Sequence, residues 1–261
     1  MQDPGQPRAE NWERPRFAPA ATEDLLLGSH RLRAAFMQTP LRHVGRDAPL
    51  LRAGMSEPAA ILIRSGFAYR SCTMPDGRRA ILRVLVSGDF GGLHNIVLAR
   101  AMEDVFGANR VGYHLLGAAA LRELLRDPCI SMFLLAQIAE ARWRADRLTA
   151  SIGRLDAHAR LCVLLLDIHD RLRQRELINR PTFNLPLTQE QIADHLGLTL
   201  VHVNRTLRRL REERIVLVER QVVIIRDIER LRELAQGLPQ PAEFPEMPAT
   251  QERVPIARFG N

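Results

Sequence analysis

Five arginines stand close together near the end of the chain and could bind phosphate or the edge of a guanine base. They lie between Thr199 and Arg214, where the only acids are Glu212 and Glu213. A guanidinium donates two parallel hydrogen bonds, which match a phosphate or the O6 and N7 atoms of guanine. On a helix, spacings of three and four residues place side chains on one face, and here they group His202, Arg205 and Arg209. This basic face favours nucleic acid as the partner.

The residues around the basic face predict two short helices joined by a tight turn. Residues 188–210 read TQEQIADHLGLTLVHVNRTLRRL. Thr188, with Gln191 three residues later, is a capping box that begins the first helix. Ala193 is small where a second helix must cross closely, Gly197 suits the turn, and Val203 can pack back onto the first helix. These offsets are typical of a helix-turn-helix, although a generic helical hairpin could share them.

The side chains that this packing leaves outward have distinct predicted roles. We predict that Arg205 reads a guanine and that Asn204 and His202 reach base edges or phosphates. Thr199 caps the second helix, and beyond that helix residues 215–218 and 222–225 predict a hairpin wing with Arg220 at its tip. The start of each helix is expected to hold backbone phosphates. The predicted DNA-contacting set is Thr188, Gln189, Thr199, Val201, His202, Asn204, Arg205, Arg208, Arg209 and Arg220.

A long helix before this motif carries an apolar series typical of pairing along a narrow stripe. The series alternates spacings of four and three, and charged residues fill the positions between. A parallel homodimer is therefore the preferred interpretation, and packing of the helix on its own domain is the alternative. The predicted dimer seam is Leu134, Ile138, Ala141, Ala145, Leu148, Ile152 and Leu155.

The residue pattern in the first half of the chain is typical of a small antiparallel β domain. Short β-like segments over residues 60–63, 67–74 and 79–86 are separated by turn signals, of which Asp76-Gly77 is the strongest hairpin signal. We therefore predict an α+β chain. An N-terminal antiparallel β-roll spans residues 23–118, a dimerisation helix region 119–156 and a C-terminal winged helix-turn-helix 157–237. The polar, proline-rich residues 1–22 and 238–261 are predicted to be mobile tails.

Composition supports a folded protein with a basic excess. The 261 residues are 46% hydrophobic, and 37 arginines with no lysine against 30 acids give a net charge of +7. Such an excess raises the expectation of a nucleic-acid partner. The three cysteines, Cys72, Cys129 and Cys162, have neither metal-ligand nor disulfide spacing, which fits a reducing cytoplasm. No stretch is long and apolar enough for a signal peptide or a membrane span, so no membrane partner is expected.

The order of these parts resembles the Crp/Fnr family of bacterial transcription regulators. The resemblance covers about residues 23–235, and its most specific piece is LTQEQIADHLGLTLVHVNRTLRRLREERIV, similar to a branch with VHVNR in the recognition helix. The resemblance implies a β-roll of the cyclic-nucleotide-binding type and a homodimer that binds a two-fold symmetric operator and contacts RNA polymerase. Val201 replaces a glutamate that is widespread in the family's recognition helix, so a different operator is expected.

The effector region departs from the family pattern. Members that bind cyclic nucleotides carry a Gly-Glu pair for the ribose and an Arg-Ser or Arg-Thr pair for the phosphate. Here Gly92 is followed by Leu93, and the phosphate pair aligns with Ala101-Met102, so control by a cyclic nucleotide is not expected. The family's effector pocket maps onto Gly88, Phe90, Gly92, Leu93, Ala101 and Met102.

No cofactor or metal is predicted from the sequence. The oxygen-sensing branch of the family uses an N-terminal cysteine cluster, and no cysteine precedes Cys72. Haem stays open as an alternative, since the sensor region holds His30, His43, His94 and His114.

Two other function classes are alternatives to a DNA-binding regulator. The first is a ligand-sensing, haem or redox module whose helix-turn-helix serves mainly protein contacts. The second is an enzyme, which is not expected because no Ser/His/Asp, P-loop or HExxH arrangement occurs and the adjacent carboxylates Glu103 and Asp104 would point in opposite directions on a strand.

Overall fold

The structure is a computed structural model that describes residues 19–236. It contains seven α-helices and eleven strands over that range. The helices are α1 (Pro19–Met37), α2 (Ala118–Leu124), α3 (Pro128–Arg154), α4 (Ala157–Gln174), α5 (Gln189–Leu196), α6 (Leu200–Glu212) and α7 (Ile228–Leu234). The predicted tails at 1–22 and 238–261 lie outside the described residues, except that 19–22 form the start of α1. None of the described helices is long and apolar enough to cross a membrane.

The β domain consists of two four-stranded antiparallel sheets, in the orders β1-β8-β3-β6 and β2-β7-β4-β5. This confirms the predicted N-terminal antiparallel domain. Its strands are β1 (Arg42–Val44), β2 (Pro49–Leu51), β3 (Ala59–Ser65), β4 (Phe67–Thr73), β5 (Arg79–Val86), β6 (Phe90–Gly91), β7 (Asp104–Gly107) and β8 (Val111–Gly117). Gly77, at φ +82°, turns β4 into β5, as the Asp-Gly signal predicted. A short 3₁₀ helix, Leu93–Val97, follows β6.

Helix α1 is an element that the sequence analysis did not predict. It packs along α3 and buries Leu25, Leu32 and Phe36 to 2% exposure or less. The two helices approach closely at Gly28, where a Cβ atom would lie only 2.0 Å from the carbonyl oxygen of Cys129. Glycine is therefore required at this crossing.

A long helix, α3, is present within the region 119–156 where a dimerisation helix was predicted, but part of its predicted seam packs within the chain. Asp127 caps its start with Pro128 in the first turn, and Leu155 is the residue after its end. Leu134 is 5% exposed and belongs to the core formed with α1, so its assignment to a dimer seam is wrong. Ala141 and Leu148 are half-buried and line a cavity within the same chain. Ala141 and Leu148 face inward because α3 has an apolar face that packs on the chain's own domains.

A buried carboxylate joins the β domain to the helices that follow it. Asp89, in the turn after β5, is 1% exposed, and its oxygens accept hydrogen bonds from Arg171 at 2.8 Å and Arg175 at 2.6 Å, both on or next to α4. The backbone N–H of Val86 donates to it as well. Burial opposes ionisation, but the nearby guanidinium groups outweigh it and hold the pKa of Asp89 well below its usual range.

Helix α5 is docked on the β domain by three polar contacts. Arg79 of β5 forms an ion pair with Asp194 at 2.8 Å. Nδ1 of His195 donates to the carbonyl oxygen of Ile81 at 2.9 Å. The side-chain amide of Gln191 donates to Asp47 at 3.3 Å. These contacts tie the first helix of the helix-turn-helix to β5 and to the loop between β1 and β2, so the orientation of the C-terminal domain depends on the β domain.

We predict that Asp89→Asn lowers the free energy of unfolding by about 3–5 kcal/mol, because it removes the buried charge that pairs with Arg175 and leaves Arg171 with Asp167 as its one remaining ion-pair partner in the described residues. Urea unfolding followed by circular dichroism measures this. Asp76→Asn is the matched control, since Asp76 pairs with Arg78 on the surface and its loss should leave the midpoint nearly unchanged. Equal midpoints for the two variants would contradict the role of Asp89.

We also predict that stability declines as the solution becomes acidic and that His195 contributes to the decline. Burial lowers the pKa of His195 below its ordinary value of 6.5, so the folded chain binds this proton less readily than the unfolded chain. The contribution of His195 to the stability of the fold is therefore fully present above its ordinary pKa of 6.5 and is lost as the pH falls below that value. Burial also lowers the pKa of His94 and His158, which act in the same direction.

The measurement is the melting temperature of the wild type and of His195→Gln from about pH 8 to about pH 5.5, the range in which histidine titrates. The melting temperature of the variant should fall less steeply with decreasing pH. His94 and His158, which the variant retains, should still cause part of the decline. An identical slope in the two proteins would rule out a contribution from His195.

Candidate nucleic-acid interface

The predicted helix-turn-helix is present as α5, a turn and α6. The Thr188 hydroxyl accepts a hydrogen bond from the backbone N–H of Gln191 at 3.1 Å, and the Gln191 side chain accepts one from the backbone N–H of Thr188 at 2.9 Å. The capping box is therefore complete. Gly197 ends α5 at φ +63°, in the left-handed region that favours glycine. The Thr199 hydroxyl then accepts from the backbone N–H of His202 and begins α6.

The inward residues of the motif hold the two helices together, as the offsets predicted. Val203 is fully buried, and Ala193 and Leu196 are 6% and 2% exposed. All three belong to one hydrophobic core with α4 and the following strands. Because this face is packed, α6 must present its other face outward.

Three of the predicted contact residues on α6 are open to solvent and unpaired. Asn204, Arg205 and Arg208 are exposed, and within residues 19–236 their side chains form no hydrogen bond or ion pair. Val201, one turn before Arg205, is 72% exposed. These four side chains are the members of the predicted set on α6 that are open to a ligand.

Two other residues of the predicted set are engaged with neighbours in the free protein. Nδ1 of His202 lies 3.1 Å from the Thr199 hydroxyl, and the ring is half-buried. Nε of Arg209 donates to Glu213 at 2.7 Å, and this hydrogen bond raises the pKa of Arg209. A phosphate at Arg209 would have to share it with Glu213, so Arg209 is less available than Arg205.

The wing is a three-stranded sheet rather than the two-stranded hairpin that was predicted. The strands β10 (Val216–Glu219) and β11 (Val222–Ile225) pair as expected, and β9 (Thr182–Asn184) adds to the far edge of β11. Arg220 and Gln221 form the tip with φ values of +48° and +68°. Two successive residues in the left-handed region match a type I′ turn, which leaves Arg220 exposed at the tip as predicted.

Arg160 positions the motif and was not found from the sequence. Its guanidinium donates to the carbonyl oxygens of Ile152 at 2.6 Å, Leu155 at 2.8 Å and Leu196 at 3.2 Å. It therefore satisfies the open carbonyl groups at the ends of both α3 and α5. No side-chain pattern marks this role, since all three partners are backbone atoms.

The residues predicted to line an effector pocket occupy different environments. Phe90 packs edge-on against Phe36 and Phe133 in the core, and Leu93 lies in the same cluster. Ala101 is buried, whereas Met102 is 71% exposed. Gly88 and Gly92 are turn residues at positive φ. Phe90 and Leu93 belong to the hydrophobic core, and the assignment of these six residues to an effector pocket stays a prediction.

The four histidines considered for haem also occupy separate places. His30 and His43 are exposed, and Nδ1 of the buried His114 donates to the carbonyl oxygen of Thr39 at 2.8 Å. His94 lies 3.8 Å from Glu103. Within residues 19–236, no three His, Cys, Asp or Glu side chains are grouped so that they could hold a metal ion.

Comparison with known proteins gives a consistent result. Residues 159–234 match the model of the Crp-like helix-turn-helix domain. The chain is 31% identical over 176 residues to the transcriptional activator protein FnrL of Cereibacter sphaeroides, covering 66% of this chain and 70% of FnrL. It is 28% identical over 179 residues to the transcriptional activatory protein AadR of Rhodopseudomonas palustris, covering 65% and 70%.

The fold is also that of a solved structure. FixK2 from Bradyrhizobium japonicum superposes with a TM-score of 0.69 over 76% of this chain and 98% of FixK2, at 22% identity. The superposition covers 76% of this chain, which is more than the matched helix-turn-helix domain of residues 159–234. The chain therefore belongs to the Crp/Fnr family of DNA-binding transcription regulators.

Proposed function

We propose that the chain is a homodimeric regulator that reads a two-fold symmetric operator with α6 in the major groove and acts without a cyclic nucleotide. The observation that carries the proposal is the exposed, unpaired guanidinium of Arg205 beside Asn204 on α6. RNA polymerase is the expected protein partner of such a regulator. Since the operator is chromosomal DNA, the protein acts in the cytoplasm.

Base readout is assigned to the first two turns of α6. In helix-turn-helix proteins the N-terminal residues of the second helix contact base edges. Arg205 suits the O6 and N7 atoms of guanine, and Asn204 suits the edge of adenine. Val201 is placed to contact a thymine methyl group, because an apolar side chain is the usual partner of that group.

Phosphate contacts are assigned to the edges of the motif. Thr188, Gln189 and Thr199 are exposed at the starts of α5 and α6, where unpaired backbone N–H groups attract anions. Arg208 flanks α6, and Arg220 stands at the tip of the wing. These contacts position the protein on the duplex and carry no sequence information themselves.

The dimer is assigned to a stripe on α3 that keeps Ile138, Ala145 and Ile152 of the seam predicted from the sequence and replaces its other members. Residues on this α3 stripe are all exposed and recur at alternating spacings of three and four: Leu135, Ile138, Arg142, Ala145, Thr149 and Ile152. Leu135 is 63% exposed, Ile138 46% and Ile152 40%. Burying such apolar side chains against a second copy stabilises a coiled-coil contact. Ala145 is small enough to allow close approach of the two helices.

The side chains present in the effector region support the proposal that no cyclic nucleotide controls the protein. Leu93 is packed in the core in place of the ribose-binding glutamate. The nearby Glu103 is 7% exposed in its side chain and forms an ion pair with Arg70 at 2.8 Å. A cyclic phosphate approaching Arg70 would have to compete with this carboxylate.

We predict that Arg205→Ala reduces discrimination between operator and unrelated DNA by about 1–3 kcal/mol, because it removes a bidentate contact to one base pair. Arg220→Ala should instead weaken binding to all sequences alike and reduce the dependence on salt concentration. Fluorescence anisotropy with labelled duplexes at several salt concentrations measures both effects. If Arg220→Ala changed sequence preference while Arg205→Ala did not, the two assignments would be reversed.

We predict that Ile138→Glu combined with Ile152→Glu produces monomers that no longer bind a two-half-site operator, since four charges would face each other in the dimer. Sedimentation velocity gives the oligomeric state. Met74→Glu is the matched control, because Met74 is similarly exposed at 47% but lies at the turn of the β4–β5 hairpin. A double variant that sediments as the wild type does would refute the α3 stripe.

A further inference from the structure

A buried histidine lies beside α6 and has no part in the DNA contacts assigned above. His158, in the first turn of α4, is 7% exposed, and its Nε2 atom is buried without a hydrogen-bond partner in the described part of the chain. Oε2 of Glu213, the residue after α6, lies 4.0 Å from this nitrogen, which is beyond hydrogen-bond distance. A proton on the ring of His158 therefore places a cation opposite a carboxylate.

The carboxylate of Glu213 also holds Arg209, a member of the predicted DNA-contacting set. Its Oε1 atom accepts a hydrogen bond from Nε of Arg209 at 2.7 Å. The Arg209 side chain is 57% exposed, so a DNA phosphate can reach it, but the phosphate competes with Glu213 for the guanidinium. Glu213 thus connects a buried titratable ring to an exposed arginine of α6.

Glu213 is the acid that is available to His158. The charged groups that face the ring from α4, α6 and α7 are Asp156, Arg209, Glu213 and Arg230. Asp156 caps α4 and accepts a hydrogen bond from the backbone N–H of Ala159 at 2.8 Å, and Arg230 pairs with Glu233 at 2.6 Å. Cys162, one turn along α4, stays uncharged because burial raises the pKa of its thiol to about 12.

The ring of His158 is uncharged at neutral pH. Burial is the largest influence on its pKa and lowers it below the ordinary value of 6.5, and Arg209 and Arg230 act in the same direction, while Glu213 and Asp156 oppose them. The ring therefore gains its proton only as the solution becomes acidic. Glu213 is still ionised in that range, because the hydrogen bond from Arg209 lowers the pKa of its carboxyl group.

We propose that His158 is a positioning residue that, through Glu213, controls how strongly Arg209 binds a DNA phosphate. This role rests on the proposed function of α6 as the helix that reads DNA. While the ring is neutral, the full charge of Glu213 acts on Arg209. Once the ring is protonated, it donates toward Oε2 of Glu213, and one carboxylate is shared between two cations. Arg209 is then less compensated and attracts a phosphate more strongly.

Affinity for DNA therefore increases as the pH falls through the range in which His158 titrates. By linkage, a bound phosphate favours the protonated ring by the same factor as the proton favours the phosphate. Arg209 and Glu213 are both partly exposed, so the expected change in affinity is about two- to fivefold, the size of one such ion pair.

The test measures binding of a fluorescently labelled DNA duplex of unrelated sequence to the full chain from about pH 8 to about pH 5.5 at constant ionic strength. Any duplex serves, because phosphate contacts carry no sequence information. Affinity should increase about two- to fivefold more for the wild type than for His158→Gln. His202 of α6 is present in both proteins, so its titration cancels in the comparison. Circular dichroism at each pH establishes that both proteins are folded.

Glu213→Gln tests the same link without acid, and so decides the matter if a protein unfolds at low pH. At about pH 8 it should bind the duplex about two- to fivefold more tightly than the matched control Glu212→Gln. Both variants remove one negative charge from the end of α6, but only Glu213 contacts Arg209. Glu212 is exposed and forms no ion pair within residues 19–236. Adding His158→Gln to Glu213→Gln should leave the pH dependence of binding unchanged.

The outcomes separate the role of His158 from the proposed function. Equal pH dependence in the wild type and His158→Gln, or equal affinity of Glu213→Gln and Glu212→Gln, overturns the proposal while DNA binding itself stands. A wild type that binds no duplex at any pH refutes the proposed function instead. Histidine NMR gives a readout without DNA: Glu213→Gln should lower the pKa of His158 further, because it removes a carboxylate that favours the proton. An unchanged titration of His158 would contradict the link.

Discussion

The buried carboxylate of Asp89 is the contact on which the junction between the β domain and α4 depends. It lies in the turn that leaves β5, almost completely buried, and it is held by two arginines from the segment that begins the DNA-binding domain. Desolvating a carboxylate and two guanidinium groups is costly, so the contact is stable only when all the partners are in place. This makes the junction of the domains a cooperative unit rather than a flexible linker.

The consequence for function follows from what is attached to that junction. Arg79, His195 and Arg160 extend it to α5, and α5 packs directly on α6. The side chains that could meet a base, Asn204 and Arg205, are thereby held at a defined orientation to the β domain and to α3. A change at the junction can alter the geometry of α6 without touching any DNA-contacting residue.

The helix-turn-helix could be read from the sequence because its signals are local. Thr188, Gln191 and Gly197 act on backbone atoms within a few residues of themselves, and Val203 is recognised by its offset from them. The hairpin at Asp76-Gly77 was predictable for the same reason. Helix α1 was missed because its burial depends on α3, about a hundred residues away, and the fit at Gly28 is visible only once both helices are placed.

The faces of α3 show a second limit of sequence patterns. Spacings of three and four identify an apolar stripe, but they do not tell whether it packs within the chain or against a second copy. Leu134 and Leu148 of the predicted stripe pack within the chain. Likewise, an alignment of family positions placed Phe90 and Leu93 in a pocket, whereas the hydrophobic core contains them. Arg70, Arg83, Arg144 and Arg171 line one cavity but come from β4, β5, α3 and α4, so no motif could have grouped them.

The central claim is that α6 reads a specific operator as part of a dimer. The most direct measurement is enrichment and sequencing of genomic fragments bound by the full chain at moderate salt. The account predicts one two-fold symmetric motif whose half-sites are centred about one helical turn apart, roughly 10 base pairs. Bound fragments that share no motif, with affinity set by salt alone, would contradict it.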